Sequence, residues 1–399
     1  MNIAARFASL GIDNAPGQES ARDTAQAMRR TANPDGVDFS HGDVGAFPPT
    51  PGALGAFSDA YEAGAKYAYS EYRGHAIIRE PLAGKIADFT KAPIDPAREL
   101  IVTPGTQAGL FLALSSLVAP GDKVVIVEPD YFANRKIVAY LGGEAVPVTL
   151  SYNVLGQAAE LDLGQLEAAL SGGANIILFS NPNNPTGALY TEGQIRSIVD
   201  LAERFGAFIV VDELYSRLIY PGNTITHLRA CGVDPDRCIT LLGPSKTESL
   251  SGFRTGVAVG APSIIERMEK LLAIVSLRTA GYNQAVLDTW FAEPEGWLTR
   301  RIDEHRQIRD GLVEIFSAAG FLTRTTEGGS YIFPTLPPLR TSAAEFVATL
   351  RHQYGIVVTP GTEFSPHHAS SIRLNFSQDH DNAIAAAHSI VTCAKDMQP

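Results

Sequence analysis

The stretch from Asn175 to Glu213, NIILFSNPNNPTGALYTEGQIRSIVDLAERFGAFIVVDE, predicts the fold of this protein. It begins with an apolar run at 175–179, continues through a helical pattern from Thr191 to Phe205, and ends with a second apolar run at 208–211. Unbroken apolar runs of this length are typical of parallel strands whose two faces are both covered. The stretch therefore predicts a strand–helix–strand unit in a mostly parallel sheet.

Similar apolar runs on both sides of this unit extend the predicted sheet. They lie at Leu100–Val102, Lys123–Val127, Ile239–Leu242 and Val257–Val259. After about Trp297 the pattern changes to one long charged helix, short strand candidates and further helices. The strand candidates are Tyr331–Phe333, Ile356–Val358 and Ile372–Phe376, and the further helices start near Ser342 and Asp379. We therefore predict a large α/β domain at residues 52–296 and a smaller α+β domain made of residues 1–51 and 297–399.

Composition narrows the class of protein. A chain of 399 residues with 45% hydrophobic and 19% charged residues suits a two-domain globular protein. The net charge of −11 disfavours nucleic acid as a partner, because phosphate backbones are bound by clustered Lys and Arg. Three scattered cysteines predict neither a disulfide framework nor a metal site. The N-terminus lacks the apolar core of a signal peptide and no segment is long enough to span a membrane, so we expect a cytoplasmic protein.

Three polar clusters follow successive predicted strands. The first is Ser180-Asn-Pro-Asn-Asn-Pro-Thr-Gly, the second is Asp212-Glu-Leu-Tyr, and the third is Gly243-Pro-Ser-Lys-Thr-Glu-Ser-Leu-Ser-Gly-Phe-Arg-Thr-Gly. Taken singly, each fits an ordinary turn, a capped helix start or an exposed Lys. Ligands of α/β sheets bind at the carboxyl ends of strands, so three clusters in such positions predict one shared site.

Together these motifs resemble the aspartate-aminotransferase-like family (class I/II) of pyridoxal-phosphate-dependent aminotransferases, over nearly the whole chain. The resemblance implies that Lys246 binds pyridoxal 5′-phosphate as a Schiff base, which requires an amine that can lose its proton. It implies that Asp212 pairs with the pyridine nitrogen and keeps it protonated. Tyr215 and Asn184 are then expected to hydrogen-bond the phenolic oxygen of the cofactor ring.

The resemblance also implies a phosphate site after the strand at Leu100–Val102. Helix N-termini bind anions through their free N–H groups, and Thr103-Pro-Gly-Thr-Gln opens a helix. The residues expected at the phosphate are Gly105, Thr106, Gln107, Ser245 and Arg254. Gly243 stands where the family often has a hydroxyl residue, so Ser245 or water is expected to substitute. Tyr131 is expected to stack on the cofactor ring.

Substrate and partner residues follow from the same resemblance. Arg373 is expected to bind the substrate α-carboxylate, helped by the backbone at Gly42, although an edge-strand Arg facing water would fit the pattern too. Tyr69, with Tyr72 as an alternative, is expected to reach the phosphate of a neighbouring subunit, which implies a homodimer with composite sites. Arg278 is a candidate for binding an acidic substrate side chain across that dimer, or else a surface or interface Arg without a ligand.

The resulting functional prediction is transfer of an amino group from an L-amino acid to a 2-oxo acid. The same cofactor site could instead support elimination, decarboxylation or oxidation at the substrate Cα, because the protein selects which Cα bond is broken. A regulatory module that binds the cofactor without catalysis is disfavoured, because Lys246, Asp212 and Arg373 are all present and no DNA-binding helix pair is evident.

Overall fold

A computed structural model describes residues 36–154 and 157–399. Two expectations concern the N-terminus: that it is no signal peptide and that it contributes to the small domain. For residues 1–35, both lie outside the described residues. None of the described helices is both long enough and apolar enough to cross a membrane.

The larger part of the molecule is built on an eight-stranded mixed sheet. Its strands are β1 (Leu100–Thr103), β2 (Lys123–Glu128), β3 (Glu144–Ser151), β4 (Glu160–Leu161), β5 (Ala174–Ser180), β6 (Phe208–Asp212), β7 (Cys238–Leu242) and β8 (Gly256–Gly260). Their spatial order is β1-β8-β7-β6-β5-β2-β3-β4. The five strands from β7 to β3 are parallel, whereas β8 is antiparallel to both β1 and β7, and β4 is antiparallel to β3. The predicted α/β fold with a mostly parallel sheet is confirmed.

Helices cover both faces of this sheet. The α-helices of the described residues are α1 (Ala53–Glu62), α2 (Ala65–Ala68), α3 (Ala76–Thr90), α4 (Thr106–Leu117), α5 (Phe132–Tyr140), α6 (Leu163–Ser171), α7 (Glu192–Phe205), α8 (Pro262–Val275), α9 (Gly281–Gln284), α10 (Trp297–Ala318), α11 (Ala343–Thr349) and α12 (His380–Asp396). Alternate residues of β5 enter different cores: Ile177 packs with α6 and α7, and Ile176 packs with α4, α5 and α8. Because both faces are buried, the strands read as unbroken apolar runs.

Helix α7 illustrates how local sequence sets an element. Thr191 caps its N-terminus, accepting from the backbone of Gln194, whose side chain accepts from Thr191 N–H in return. Buried residues at Ile195, Ile198, Val199 and Ala202 follow the helical period and face the sheet. Gly206 ends the helix in the left-handed conformation (φ 66°) that glycine adopts without strain.

The smaller part contains a three-stranded antiparallel sheet in the order β10-β11-β9. Its strands are β9 (Tyr331–Ile332), β10 (Thr359–Pro360) and β11 (Ile372–Asn375). The strand expected at Ile356–Val358 is wrong, since the paired residues are 359–360 and Val357 makes only an isolated bridge to Asp38. These three residues are apolar because they are buried in the core, which a run of sequence alone does not distinguish from strand pairing.

The core of the smaller part joins both ends of the described chain. Phe39 and Phe47 pack in one cluster with residues of α10, β11 and α12, but Tyr220 from the larger part also belongs to that cluster. The Tyr220 hydroxyl donates to the carbonyl of Gly329 at 2.7 Å. The boundaries 52–296 and 297–399 therefore stay a prediction.

Candidate active site

A cavity of about 320 Å³ lies at the carboxyl ends of β5, β6 and β7. The loops after these strands, together with the start of α4, supply most of its wall. The lining residues are Thr106, Gln107, Leu110, Tyr131, Ser180, Asn184, Asp212, Leu214, Tyr215, Ser245, Lys246, Ser251, Arg254 and Tyr331. Parallel strands end at the same edge of a sheet, so the polar clusters that follow them converge, as the sequence predicts.

Lys246 and Asp212 provide the charged centre of the cavity. The Lys246 ammonium lies 6.0 Å from the centre of the Tyr215 ring. Burial raises the pKa of Asp212 to about 6, an effect that the backbone N–H of Leu214 and the Lys246 charge only partly offset. A carboxylate in such a position is stabilised by any cation that enters the cavity beside it.

A buried Asp that sequence reasoning missed supports the Asn184 loop. Asp130 accepts hydrogen bonds from the Ser180 hydroxyl and the Asn134 amide, both at 2.7 Å. The Ser180 oxygen in turn accepts from the backbone N–H of Asn184 at 3.1 Å. Burial raises the pKa of Asp130 to about 7. Its position just before Tyr131 was the signal that could have identified it.

The start of α4 and the Arg254 guanidinium form a cradle that could hold an anion. Gly105 has φ 82°, and a side chain there would collide with the Arg254 guanidinium. A side chain at Gly243 would lie 2.6 Å from the Thr106 hydroxyl, which therefore occupies the space of the missing hydroxyl residue. Ser245 also lines the cavity. Backbone N–H groups at a helix start beside a guanidinium favour a phosphate.

Tyr131 contacts Gln107 at the mouth of this cradle. The Tyr131 hydroxyl donates to Gln107 Oε1 at 2.9 Å, and its ring packs against Phe132 with the centroids 4.6 Å apart. Both side chains line the cavity. Tyr131 therefore lies at the cavity, and its stacking on a cofactor ring stays a prediction.

Arg373 lies on β11 with its guanidinium directed to the cavity wall. The residue is 4% exposed, and it donates to Asn184 Oδ1 at 3.0 Å and to the carbonyl of Ser40 at 2.9 Å. Its hydrogen-bond partners within the described residues are uncharged oxygens, and its buried Nε has none. A buried guanidinium that forms no ion pair within the described residues is costly, so this geometry suits a ligand carboxylate.

Gly42 lies beside Lys246 in an adjoining cavity of about 370 Å³, which shares Ser245, Lys246 and Ser251 with the first. A side chain at Gly42 would come within 3.2 Å of Ser377 Cβ. The loop that contains Gly42 also provides the Ser40 carbonyl to Arg373. Gly42 is therefore near the Arg373 guanidinium along the chain, but it does not line the first cavity.

Tyr331 is the principal site residue that sequence reasoning missed. It lines the cavity, its hydroxyl hydrogen-bonds that of Tyr215, and the Arg373 guanidinium lies 4.4 Å from the centre of its ring. The strand at Tyr331 was predicted, but its contact with the cavity was not. The signal that could have found it is the Gly328-Gly329 pair, which only Ser330 separates from the strand.

Tyr69 and Arg278 do not line either cavity within this chain. Tyr69 is 80% exposed, and the Arg278 guanidinium lies 5.5 Å from its ring centre and 5.3 Å from that of Tyr72. Arg278 also donates to the carbonyl of Ser70 at 2.7 Å. Two residues predicted to act on a neighbouring subunit thus lie together on the surface.

Comparison with known proteins identifies the class. Residues 34–390 match the model of the aminotransferase class I and II family, and the chain belongs to that family. It is an aminotransferase, and the alternative Cα reactions are not favoured.

Particular relatives agree with this assignment. The crystal structure of an aspartate aminotransferase from Rhodobacter sphaeroides is 56% identical, covers 91% of this chain and 93% of its own, and superposes with a TM-score of 0.90. An aspartate aminotransferase from Sulfolobus acidocaldarius is 28% identical over 76% of this chain and 77% of its own length. An arginine–pyruvate transaminase from Pseudomonas aeruginosa is 26% identical over 82% and 83%.

Proposed function

We propose that this aminotransferase uses pyridoxal 5′-phosphate held by Lys246, accepts acidic amino acids, and works as a homodimer. The observation that supports this most is the set of groups around one cavity: an amine at Lys246, a half-buried carboxylate at Asp212 and the anion cradle of Gly105 and Arg254. Arg373 adds a buried guanidinium at the cavity wall.

The residues present fit this cofactor, because each of its polar groups has a matching partner. The aldehyde matches the Lys246 amine, and the pyridine nitrogen matches the Asp212 carboxylate, whose pKa is raised by burial and which a cation beside it would therefore stabilise. The phosphate matches the start of α4, with Gly105, Thr106 and Gln107, together with Ser245 and Arg254. Asn184 and Tyr215 can hydrogen-bond the phenolic oxygen, and Tyr131 can cover the ring.

When bound, the cofactor withdraws electrons from the bond broken at the substrate Cα. The Lys246 amine is the base that takes the proton from the substrate Cα and then the acid that donates it to the C4′ carbon of the cofactor. Within the described residues, Lys246 is the amine that lines the cavity. Asp212 keeps a positive charge on the ring nitrogen. Asn184 and Tyr215 orient the ring through its oxygen.

Arg373 orients the substrate by its α-carboxylate. A planar guanidinium binds a carboxylate through two parallel hydrogen bonds, which holds the Cα–H bond in one direction relative to Lys246. Asn184 Oδ1 and the Ser40 carbonyl keep the guanidinium in place. Gly42, beside Ser40, leaves space for the substrate and offers its backbone to the carboxylate.

The acidic substrate class is supported by the aspartate aminotransferases among the relatives. Arg278 is the residue proposed to bind the second carboxylate. Because it lies outside the cavity of its own chain, it would act on the site of a neighbouring subunit, together with Tyr69 at the phosphate.

The homodimer is supported by exposed apolar side chains in two helices: α1, which precedes Tyr69 in the sequence, and α8, which precedes Arg278. Leu54 and Tyr61 of α1, and Ile274 and Val275 of α8, are each more than half exposed. Exposed apolar residues in such numbers mark contact surfaces.

A cytoplasmic location stays a prediction, which cell fractionation would test.

One experiment tests the proposal. The purified protein is loaded with pyridoxal 5′-phosphate and incubated with aspartate, glutamate, alanine, phenylalanine or arginine, each with 2-oxoglutarate or oxaloacetate, and the products are identified by mass. Transamination converts donor and acceptor in equal amounts. Release of ammonia, CO₂ or H₂O₂ without amination of the acceptor would contradict it, and activity confined to neutral donors would remove the acidic substrate class.

A further inference from the structure

We propose that Tyr331 is a positioning residue that links the Arg373 carboxylate site to the Tyr215 hydroxyl, so that binding of a carboxylate is communicated to the group that contacts the cofactor oxygen. This inference rests on the proposed function, because Arg373 and Tyr215 take their roles from it. The test below separates the two.

The backbone places Tyr331 between the two parts of the molecule. Tyr331 lies on β9 and pairs with Asn375 of β11, the strand that carries Arg373. Its hydroxyl hydrogen-bonds the hydroxyl of Tyr215, which follows β6 in the large sheet, and the two rings meet edge to face with their centroids 5.1 Å apart. One buried side chain therefore touches both groups.

The loop that precedes Tyr331 is closely packed. A side chain at Gly328 would lie 2.8 Å from Pro182 Cγ, and one at Gly187 would lie 2.9 Å from the Tyr331 carbonyl. Gly329 has φ 71° and packs on the Tyr215 ring. Such packing leaves the Tyr331 hydroxyl little freedom to move away from Tyr215.

Arg373 lies between two aromatic rings of the smaller part. Its guanidinium carbon is 4.4 Å from the ring centre of Tyr331 and 4.7 Å from that of Phe364. Contacts of this kind between a guanidinium and a ring hold the cation and its plane in place. The Tyr331 ring and hydroxyl thus have separate tasks: the ring holds Arg373, and the hydroxyl holds Tyr215.

The charges around the hydroxyl pair supply the link. Lys246 and Arg373 are the cations that act on the Tyr331 hydroxyl, whereas Arg373 is the cation that acts on the Tyr215 hydroxyl, and Asp212 is the anion that acts on both. Burial raises the pKa of Tyr331, but the charges of Lys246 and Arg373 and the Tyr215 hydrogen bond outweigh it, so the net pKa lies below the ordinary value. Burial and Tyr331 raise the pKa of Tyr215. Either hydroxyl can donate in this pair, and the opposite pKa directions favour Tyr215 as the donor and Tyr331 as the acceptor when no carboxylate is bound.

A carboxylate bound to Arg373 neutralises one of the charges that favour an acceptor at Tyr331. The Tyr331 hydroxyl then becomes the donor to Tyr215, and the Tyr215 proton is free to bind the cofactor oxygen. No proton leaves the pair in this exchange, because each hydroxyl rotates and keeps its own.

Two substitutions separate the tasks of Tyr331. Tyr331→Phe removes the hydroxyl and keeps the ring, whereas Tyr331→Leu removes both. We expect Tyr331→Phe to change the KM for the amino acid by less than about twofold, and Tyr331→Leu to raise it by about 5- to 30-fold, the range of a buried cation–π contact. Tyr152→Phe is the control, because Tyr152 is buried beside His368, outside both cavities.

The role of the Tyr331 hydroxyl is measured by a pH titration of the visible absorbance of the bound cofactor. The quantity compared between variants is the pH at the midpoint of that titration. A donor to the cofactor oxygen stabilises its anion, so Tyr215→Phe should raise the midpoint, and Tyr331→Phe should raise it less. In the Tyr215→Phe background, Tyr331→Phe should add nothing. Additive shifts, or a Tyr331→Phe midpoint equal to that of the parent, would overturn the proposal.

A cofactor-free measurement distinguishes this inference from the proposed function. Ultraviolet titration of tyrosinate in the cofactor-free protein should show a step at lower pH than the other buried tyrosines, lost in Tyr331→Phe and kept in Tyr152→Phe. Succinate should move that step to higher pH. Failure of the parent to bind pyridoxal phosphate would refute the proposed function, while absence of this step, or its indifference to succinate, would refute the link through Tyr331.

Discussion

Replacing Asp212 with Asn should stabilise the cofactor-free protein at neutral pH while removing most of its activity. Burial raises the pKa of Asp212 from 3.8 to about 6. A group with a raised pKa in the folded chain contributes its stability below the unfolded pKa, and that contribution is lost as the pH rises through the folded pKa. Such a rise in the pKa corresponds to about 3 kcal/mol of stability at most.

Because Asn does not titrate, the difference in the free energy of unfolding between variant and parent should grow from pH 4 to about pH 6. Above about pH 7 it should be constant. The buried carboxyl groups of Asp130 and Glu248 also have raised pKa values, but they are present in both proteins and largely cancel.

The assay is urea unfolding of both cofactor-free proteins at equal concentration between pH 4 and 8, followed by the fluorescence of the buried Trp290 and Trp297. Asp200→Asn, at an exposed position of α7, controls for the change in net charge. With pyridoxal phosphate bound, the parent should gain more stability than the variant and turn over roughly a hundredfold faster or more, because the carboxylate then has its counter-charge. A stability difference that does not vary with pH would refute this reasoning.

Three further predictions test other parts of the site. Lys246→Ala should abolish the visible absorbance of the bound cofactor and nearly all turnover, since tether and base are lost together; near-parental turnover would remove Lys246 from its role. Arg278→Ala should weaken the binding of acidic substrates by roughly 2 to 5 kcal/mol, measured as a rise in their KM, and leave the KM of neutral substrates unchanged. Equal effects on both substrate classes would leave Arg278 without a ligand. Gly256→Ala should weaken cofactor binding at least about tenfold, because its Cβ would lie 2.6 Å from the backbone before α4, while Gly252→Ala, with open space around it, should bind as the parent does in equilibrium titration.

The strands and the residues at their ends could be predicted from the sequence because both are local. A strand covered on two faces reads as an apolar run, and its end and the loop after it carry the polar residues, as at Asp212, the last residue of β6, and Lys246, in the loop after β7. The capped helix α7 was predicted within one residue for the same reason. Family resemblance then assigned roles to these positions, which a local pattern alone does not contain.

The rest depends on contacts between residues far apart in the chain. Tyr331 and Tyr215 are 116 positions apart, and Asp130 is 50 positions from Ser180, so no window of sequence relates their side chains. The Thr106 hydroxyl lies where a side chain at Gly243 would lie only because α4 and the loop after β7 meet. Buried runs such as Ile356–Val358 look like strands, but pairing needs a partner whose position is set by the fold. The sequence by itself determined the sheet and the chemistry at its edge, and the tertiary structure decided which side chains touch, because close packing is a property of the whole chain.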